Sequence, residues 1–460
     1  MIRIANLRAP LGFAQGDLAR IAAASLRVDV GQVLSARIAK KSVDARDKGD
    51  VHFVLSLDAQ LRDEGAALAR LPRGVDARSI EPPRPYSPPR ATAERRPLVV
   101  GMGPAGLFAA YALALAGLRP IVIDRGDEVG ARVRSVGAFW AGGPLDPDSN
   151  VQFGEGGAGA FSDGKLTTGI ADRRCGQVLR ILVECGAPDE ILYLAKPHIG
   201  TDRLPGAVRA LRERIGDLGG TAMHRTRLEQ VHLDGGRVRG ATLRLPDGGA
   251  AELDIDCALL AVGHSARDTF EMLHRLGVPM ERKPFSVGLR VEHRQPLVDR
   301  AQYGPSAGHP TLGAAEYKLS CRLPGGRSAY TFCMCPGGRV VAAASEPGGV
   351  VTNGMSTFAR DGENANSALL VGVEPSDFGG GDALAGVRFQ RQWERAAFAL
   401  GGGDFRAPAQ RVGDFLRRAS KSGEGDVEPT YLPGVRYAPL DDCLPRFVAD
   451  SLRAATPEFD

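Results

Sequence analysis

The run RPLVVGMGPAGLFAAYALALAGLRPIVIDRG (96–126) reads as a complete βαβ unit. Leu98 to Val100 are a short apolar strand. A helix follows from about Pro104 to Ala116 and stops at Gly117, and Leu118 to Ile123 form the second strand. Gly101, Gly103 and Gly106 match G-x-G-x-x-G. Each has a physical role: a tight turn, close backbone approach to a pyrophosphate, and close helix–strand packing. The helix start, with Pro104 and Ala105, offers amide groups and the positive end of its dipole to phosphates. Asp124 ends the second strand, where a carboxylate can accept ribose hydroxyls; Arg125 follows it. The pattern predicts dinucleotide binding.

A second string, GEGGAG (154–159), also fits G-x-G-x-x-G through Gly154, Gly156 and Gly159. No apolar strand precedes it and no apolar helix follows, so it is not a second dinucleotide fold. Gly156, Gly157, Ala158 and Gly159 are instead candidates for a nest of backbone amides against the ligand. Further on, GAVRALRERIGDLGG is a helix ending at Gly219. RLEQVHL, RVRGATLRL and AAELDID then form a meander with Asp-Gly and Gly-Gly turns, feeding the strand ALLAVG (258–263). This order resembles the layout of glutathione-reductase-type flavoproteins and points to FAD.

The 460 residues predict about three domains at roughly 150 residues each. With 43% hydrophobic and 24% charged residues, a disordered chain is excluded. Gly (59) and Pro (31) are abundant without a G-X-Y period, which excludes a collagen-like fibre. Net charge is +4 without a dense basic block, so composition does not point to nucleic acid. Seven irregularly spaced cysteines fit a reducing compartment rather than a disulfide framework. The start, MIRIANLRAPLGFAQGD, lacks the apolar stretch of a secretory signal. The longest apolar run, LFAAYALALA (107–116), is too short to cross a bilayer. A cytoplasmic location and no membrane partner are expected; oligomeric state is not legible.

The expected organisation is α/β. A small βαββ-like module covers 1–80, with Asp17 capping its helix. EPPRPYSPPR opens a proline-rich linker over 81–96. An FAD-binding domain with β-meander covers 97–280. A mostly-β substrate domain covers 281–415, and an incomplete return towards the FAD domain covers 416–460.

Long strings across nearly the whole chain resemble one bacterial family, the FAD-dependent dehydrogenases (NAD(P)/FAD-dependent oxidoreductases). They are SVDAR, GMGPAGLFAA, DRG, SNVQFGEGGAGAFSDGKLTT, KPHIGTDRL, AVGHSARDT, KPFSVGLRVEH, YTFCMCPGG, TNGMSTFARDGENANSALLV and PTYLPGV. More distantly the chain is similar to flavoproteins that include aminoacetone oxidase. The resemblance implies non-covalent FAD and flavin redox chemistry, without a settled substrate. It also implies a last strand ending in Gly-Asp or Gly-Glu, then a helix facing the flavin. The family string GEGAGYAGG is absent here. Gly413-Asp414 is no substitute, because Pro408, Gln410 and Arg411 precede it instead of an apolar strand.

Further candidates follow. Arg132 could hold a phosphate or cover the surface. Ser162 and Lys165, after the glycine nest, could contact the flavin or its phosphates. His198 in KPHIGTD and His264 in VGHSARD could act as acid or base, because imidazole titrates near neutrality. Asp202 could cap the helix after His198. Gly263 ends the last FAD-domain strand, and Asp268 fits an arginine partner. Cys333 and Cys335 read as buried thiols or a redox pair; no metal-ligand spacing is present. Arg290 could bind a substrate carboxylate or make a structural pair. The expected function is hydride transfer between FAD and a small-molecule substrate, with NAD(P)H binding transiently over the flavin. The alternative is a non-catalytic flavin-binding protein. An RNA-linked reading of the first module lacks an aromatic RNP-like string.

Overall fold

The computed structural model describes residues 1–82 and 84–459. Pro83 in the expected linker and Asp460 at the end of the expected 416–460 segment lie outside the described residues. The chain divides into two compact units.

The first unit comprises 1–86, 165–199 and 295–316. Its sheet has the order Val33–Asp44, His52–Leu61, Ile2–Ala9, Ala77–Ser79, all antiparallel. Alternation puts Ile2 and Ile4, and Phe53, Leu55 and Leu57, on the buried face. The helix Leu18–Leu26 packs Leu18, Ala22 and Leu26 against them. Asp17 occupies the N-cap position of that helix, but its carboxylate makes no cap hydrogen bond there and accepts instead from Ala14 N (2.9 Å).

The unit is larger than the expected 1–80 module. Val33–Asp44 is an edge strand, and its exposed backbone takes partners from later in the chain. Lys41 N donates to Tyr193 O (2.7 Å) and Ala195 N to Lys41 O (2.9 Å). Thr311 Oγ1 donates to Leu11 O (3.0 Å), and Leu312 packs on the core. The segments 165–199 and 295–316 therefore leave the domains to which their sequence position assigned them.

The second unit comprises 87–164, 200–294 and 317–460. Its parallel sheet has the order Ala258–Leu260, Leu98–Val100, Ile121–Ile123, Thr221–Met223. Leu98, Val100, Ile121 and Ile123 form one core with Leu228, Val231, Ala241 and Leu243 of the predicted meander. The meander strands are Arg227–Asp234, Arg237–Arg244 and Ala250–Asp254. From Leu98–Val100 the chain connects to neighbours on both sides. The crevice at the C-terminal ends of these strands is a topological switch point, the place where open α/β sheets bind ligands.

The predicted β region groups with the same unit. Its main sheet has the order Phe285–Arg294, Asn364–Val373, Ser328–Cys335, Ser320–Arg322. Phe285–Arg294 is an edge strand and pairs along its whole length with Asn364–Val373. Arg339–Ala342 pairs with Thr352–Met355. Gly413 and Asp414 lie in the short helix Val412–Leu416, in keeping with the absence of a strand signal there. Among the described residues no helix is long and apolar enough to cross a membrane.

Candidate cofactor site

The three motif glycines have different reasons to be glycine. Gly101 has φ +101°, and a Cβ there would stand 2.4 Å from Ala261 O. A Cβ on Gly106 would lie 1.8 Å from Gly101 O. Both are requirements of the fold. At Gly103 the backbone is ordinary (φ −68°), and a Cβ would meet only Gly157 Cα, at 3.7 Å. Gly103 is therefore dispensable for packing and leaves space in front of the helix start. The helix Pro104–Leu115 has Gly103 as N-cap and Pro104 in its first turn. The amides of Ala105 and Gly106 lie in that turn, where no intrahelical acceptor exists.

The second glycine string packs on the first. Gly156 N donates to Met102 O (2.8 Å). Gly154, Gly156 and Gly157 all have positive φ, and Gly157–Phe161, with Ala158 and Gly159, is a single 3-10 turn. As expected from its flanks, this is a loop and not a second βαβ unit.

Arg132 requires a correction: it is no phosphate ligand. It lies on the helix Val129–Trp140, is 0% exposed, and donates to Asn150 O (2.8 Å), Val151 O (2.8 Å), Glu155 O (2.8 Å) and Gly157 O (2.9 Å). A guanidinium directing its donors at carbonyls of one loop fixes that loop and has no face left for a ligand. Burial pulls its pKa down to about 10, opposed by Asp124 and Glu155.

Glu155 was not picked out from the sequence. Its carboxylate is 0% exposed, accepts from Val129 N (2.8 Å) and Arg212 Nε (2.6 Å), and lies 3.6 Å from His224 Nε2. A charged residue inside GEGGAG was the available signal.

Asp124 faces the loop backbone. Its oxygens accept from Met102 N (2.7 Å) and Gly126 N (2.9 Å). Arg125 pairs with Asp268 (2.8 Å) and stacks over Phe153 (4.4 Å to the centroid). Ser162 closes a turn: its hydroxyl donates to Gly159 O (2.7 Å) and accepts from Gly164 N (3.1 Å). Asp163, buried, pairs with Arg360. Asp202 binds Phe358 N (2.7 Å) and is not a helix cap.

Gly263 (φ +73°) and His264 follow the strand Ala258–Leu260 at the same edge of the parallel sheet. His264 Nδ1 meets Ser265 Oγ at 2.9 Å. Surrounding protein and the nearby Arg267 charge lower its pKa, so the imidazole is neutral at pH 7. Arg267, buried, donates to Glu346 (2.8 Å) and Glu394 (2.6 Å).

His264, Ser265 and Arg267 line a cavity of about 780 Å³, together with Arg290 and Trp393. Arg290 Nε and Trp393 Nε1 are buried without an acceptor. A buried donor left without a partner costs about 1–3 kcal/mol, so both are groups that an incoming acceptor would stabilise.

Lys165 and His198 belong to the first unit, where they form an isolated antiparallel bridge. Lys165 Nζ lies 3.7 Å from Glu316 Oε2. The second unit gathers the glycine loops, His264 and the cavity, but not these two residues.

A parallel switch-point sheet with two abutting glycine loops and a β-meander defines the class as a Rossmann-type dinucleotide-binding fold. Residues 284–460 match the family described as FAD-dependent protein, C-terminal domain-like. Residues 99–154 match the NAD(P)-binding Rossmann-like domain, and 1–60 match a domain of unknown function. A protein of Clostridium beijerinckii, described as uncharacterized, is 43% identical over 461 residues, covering 100% of this chain and 86% of that protein. The chain belongs to the same family as that protein, a family of FAD-dependent proteins.

Among solved structures, it is similar to a glycerol-3-phosphate dehydrogenase from Bacillus halodurans complexed with FAD. Identity is 12%, covering 60% of this chain and 47% of that one, with TM-score 0.29. It is also similar to OxyS anhydrotetracycline hydroxylase from Streptomyces rimosus, at 15% identity, 62% and 47% coverage and TM-score 0.30. The chain thus spans about half the length of these two structures.

Proposed function

We propose that this protein oxidises or reduces a small molecule in the cavity beside His264, with FAD as resident cofactor and NAD(P)H as a transient donor. The observation that carries this reading is that the Gly103 loop and His264 sit at one edge of the parallel sheet, with His264 also in the cavity wall. The residues present suit a dinucleotide: Gly103 leaves space before the helix start, and the Asp124 carboxylate is hydrogen-bonded by loop amides rather than left facing a phosphate.

When bound, FAD supplies a two-electron carrier that exchanges a hydride with its substrate. Gly103, Ala105 and Gly106 would hold its diphosphate, with Gly157 closing over from the second loop. Arg132 positions that second loop. His264 is neutral and engages Ser265 through Nδ1, which leaves Nε2 as the atom that takes or gives a proton. The glycine string 154–159 is no Rossmann fold, which supports a transient rather than domain-bound nicotinamide.

Purified protein is expected to be yellow, or to become so with added FAD, and to bleach on anaerobic reduction. Bleaching by NADH or NADPH would identify the donor. A colourless protein that takes up no FAD overturns the reading. FAD retention without turnover by any donor supports the non-catalytic alternative.

A further inference from the structure

Arginine grips a carboxylate best through two parallel N–H donors. This chain uses its Nε–Nη2 edge in that way in both units. Arg3 holds Asp58 through Nε (2.7 Å) and Nη2 (3.0 Å). Arg360 holds Asp163 through the same two atoms.

Arg290 stands apart. Its Nη1 donates to Asn366 Oδ1 (2.5 Å) and, at the limit of hydrogen bonding, to Cys333 O (3.5 Å). Its Nη2 donates to Asn353 Oδ1 (3.3 Å). None of these acceptors carries a charge, and Nε has no acceptor. Among the described residues no carboxylate pairs with it. Glu292, next on the same strand face, instead accepts from the Thr430 amide (3.2 Å) and hydroxyl. Arg290 nevertheless lines the cavity, whose wall also carries Val350, Val351 and the unpartnered indole of Trp393.

We infer that the cavity takes a small-molecule substrate bearing a carboxylate, held by the Nε–Nη2 edge of Arg290, with its apolar body against the valines and Trp393. The inference rests on the flavoenzyme reading, since it names the substrate class of that cavity. A planar fork facing neutral amides keeps its full charge for the ligand. Lysine could supply the charge but not the paired geometry.

The test is equilibrium binding by titration calorimetry on the full chain, comparing benzoate with the neutral isostere benzamide. Benzoate is expected to bind at least about tenfold more tightly. Arg290→Met should abolish that preference, and Arg290→Lys should keep part of it. Thermal melts of both variants report whether they fold; if Arg290→Met does not, the wild-type and Arg290→Lys comparisons decide. Equal affinity for the two probes, no saturable benzoate binding, or a preference that survives in folded Arg290→Met overturns the inference. FAD content is measured on the same preparations. A benzoate preference without FAD uptake leaves the anion site standing and removes the flavoenzyme reading. FAD uptake without the preference removes this inference alone.

Discussion

A Cβ on Gly157 would stand 2.9 Å from the Cα of Gly103, so the two glycine loops meet backbone against backbone. A side chain on Gly157 would wedge them apart, whereas a methyl group on Gly103 would meet Gly157 only at van der Waals distance. One loop comes from the βαβ motif and the other from a string with no regular structure around it, and the candidate site depends on both.

The motif glycines separate ligand binding from folding. Gly103→Ala adds a methyl group that meets protein only at 3.7 Å. It should fold with stability within about 1 kcal/mol of wild type, because the position is an ordinary one, while FAD affinity falls at least about tenfold. Gly106→Ala forces a methyl group into Gly101 O at 1.8 Å and should unfold the domain or cost several kcal/mol. Thermal melts and bound-flavin absorbance distinguish the two. Unchanged flavin content in Gly103→Ala would mean the cofactor lies elsewhere.

Arg132 is expected to act through the loop it holds. Arg132→Met leaves buried carbonyls without donors and removes a positive charge near Asp124 and Glu155. A loss of about 3–5 kcal/mol is expected in denaturant unfolding. Arg132→Lys should recover only part of it, since one ammonium cannot reach carbonyls spread from Asn150 to Gly157. Wild-type stability in Arg132→Met would mean that these hydrogen bonds do not hold the loop.

Glu155 gives the fold an acid-sensitive contact. Burial pushes its pKa up, but the nearby His224 ring, the hydrogen bond from Val129 N and the Arg212 charge outweigh burial and hold it below the usual carboxylate range. A carboxylate depressed in the folded state stabilises above its unfolded pKa of about 4.3. That stability is lost as pH falls through the folded value. Glu155→Gln should therefore be less stable than wild type at pH 7, with the gap closing in acid. Urea midpoints across that range check this; a gap independent of pH would contradict it.

Short-range patterns were readable because their physics is local. The strands Leu98–Val100 and Ile121–Ile123, the helix between them and the meander turns fall where apolar runs, glycines and Asp-Gly pairs put them. Gly101 and Gly106 were also readable, since a turn and a helix–strand contact leave no room for a Cβ. Arg132 and Glu155 were not. An arginine nine residues past a strand and a glutamate between glycines look like surface charges until folding buries them together.

The same contrast holds for the whole chain. Its residue order was enough to predict an α/β fold with one dinucleotide-binding βαβ unit, because backbone sterics and hydrophobic periodicity act over a few residues; FAD as the dinucleotide came from the family resemblance. Chain folding in three dimensions settled which distant segments share a unit. It drew 165–199 and 295–316, with Lys165 and His198, to the first module, and left Arg290 in a cavity wall with amide and carbonyl acceptors in place of a carboxylate partner. Edge-strand pairing and charge neutralisation act across hundreds of residues, so no local spacing encodes them.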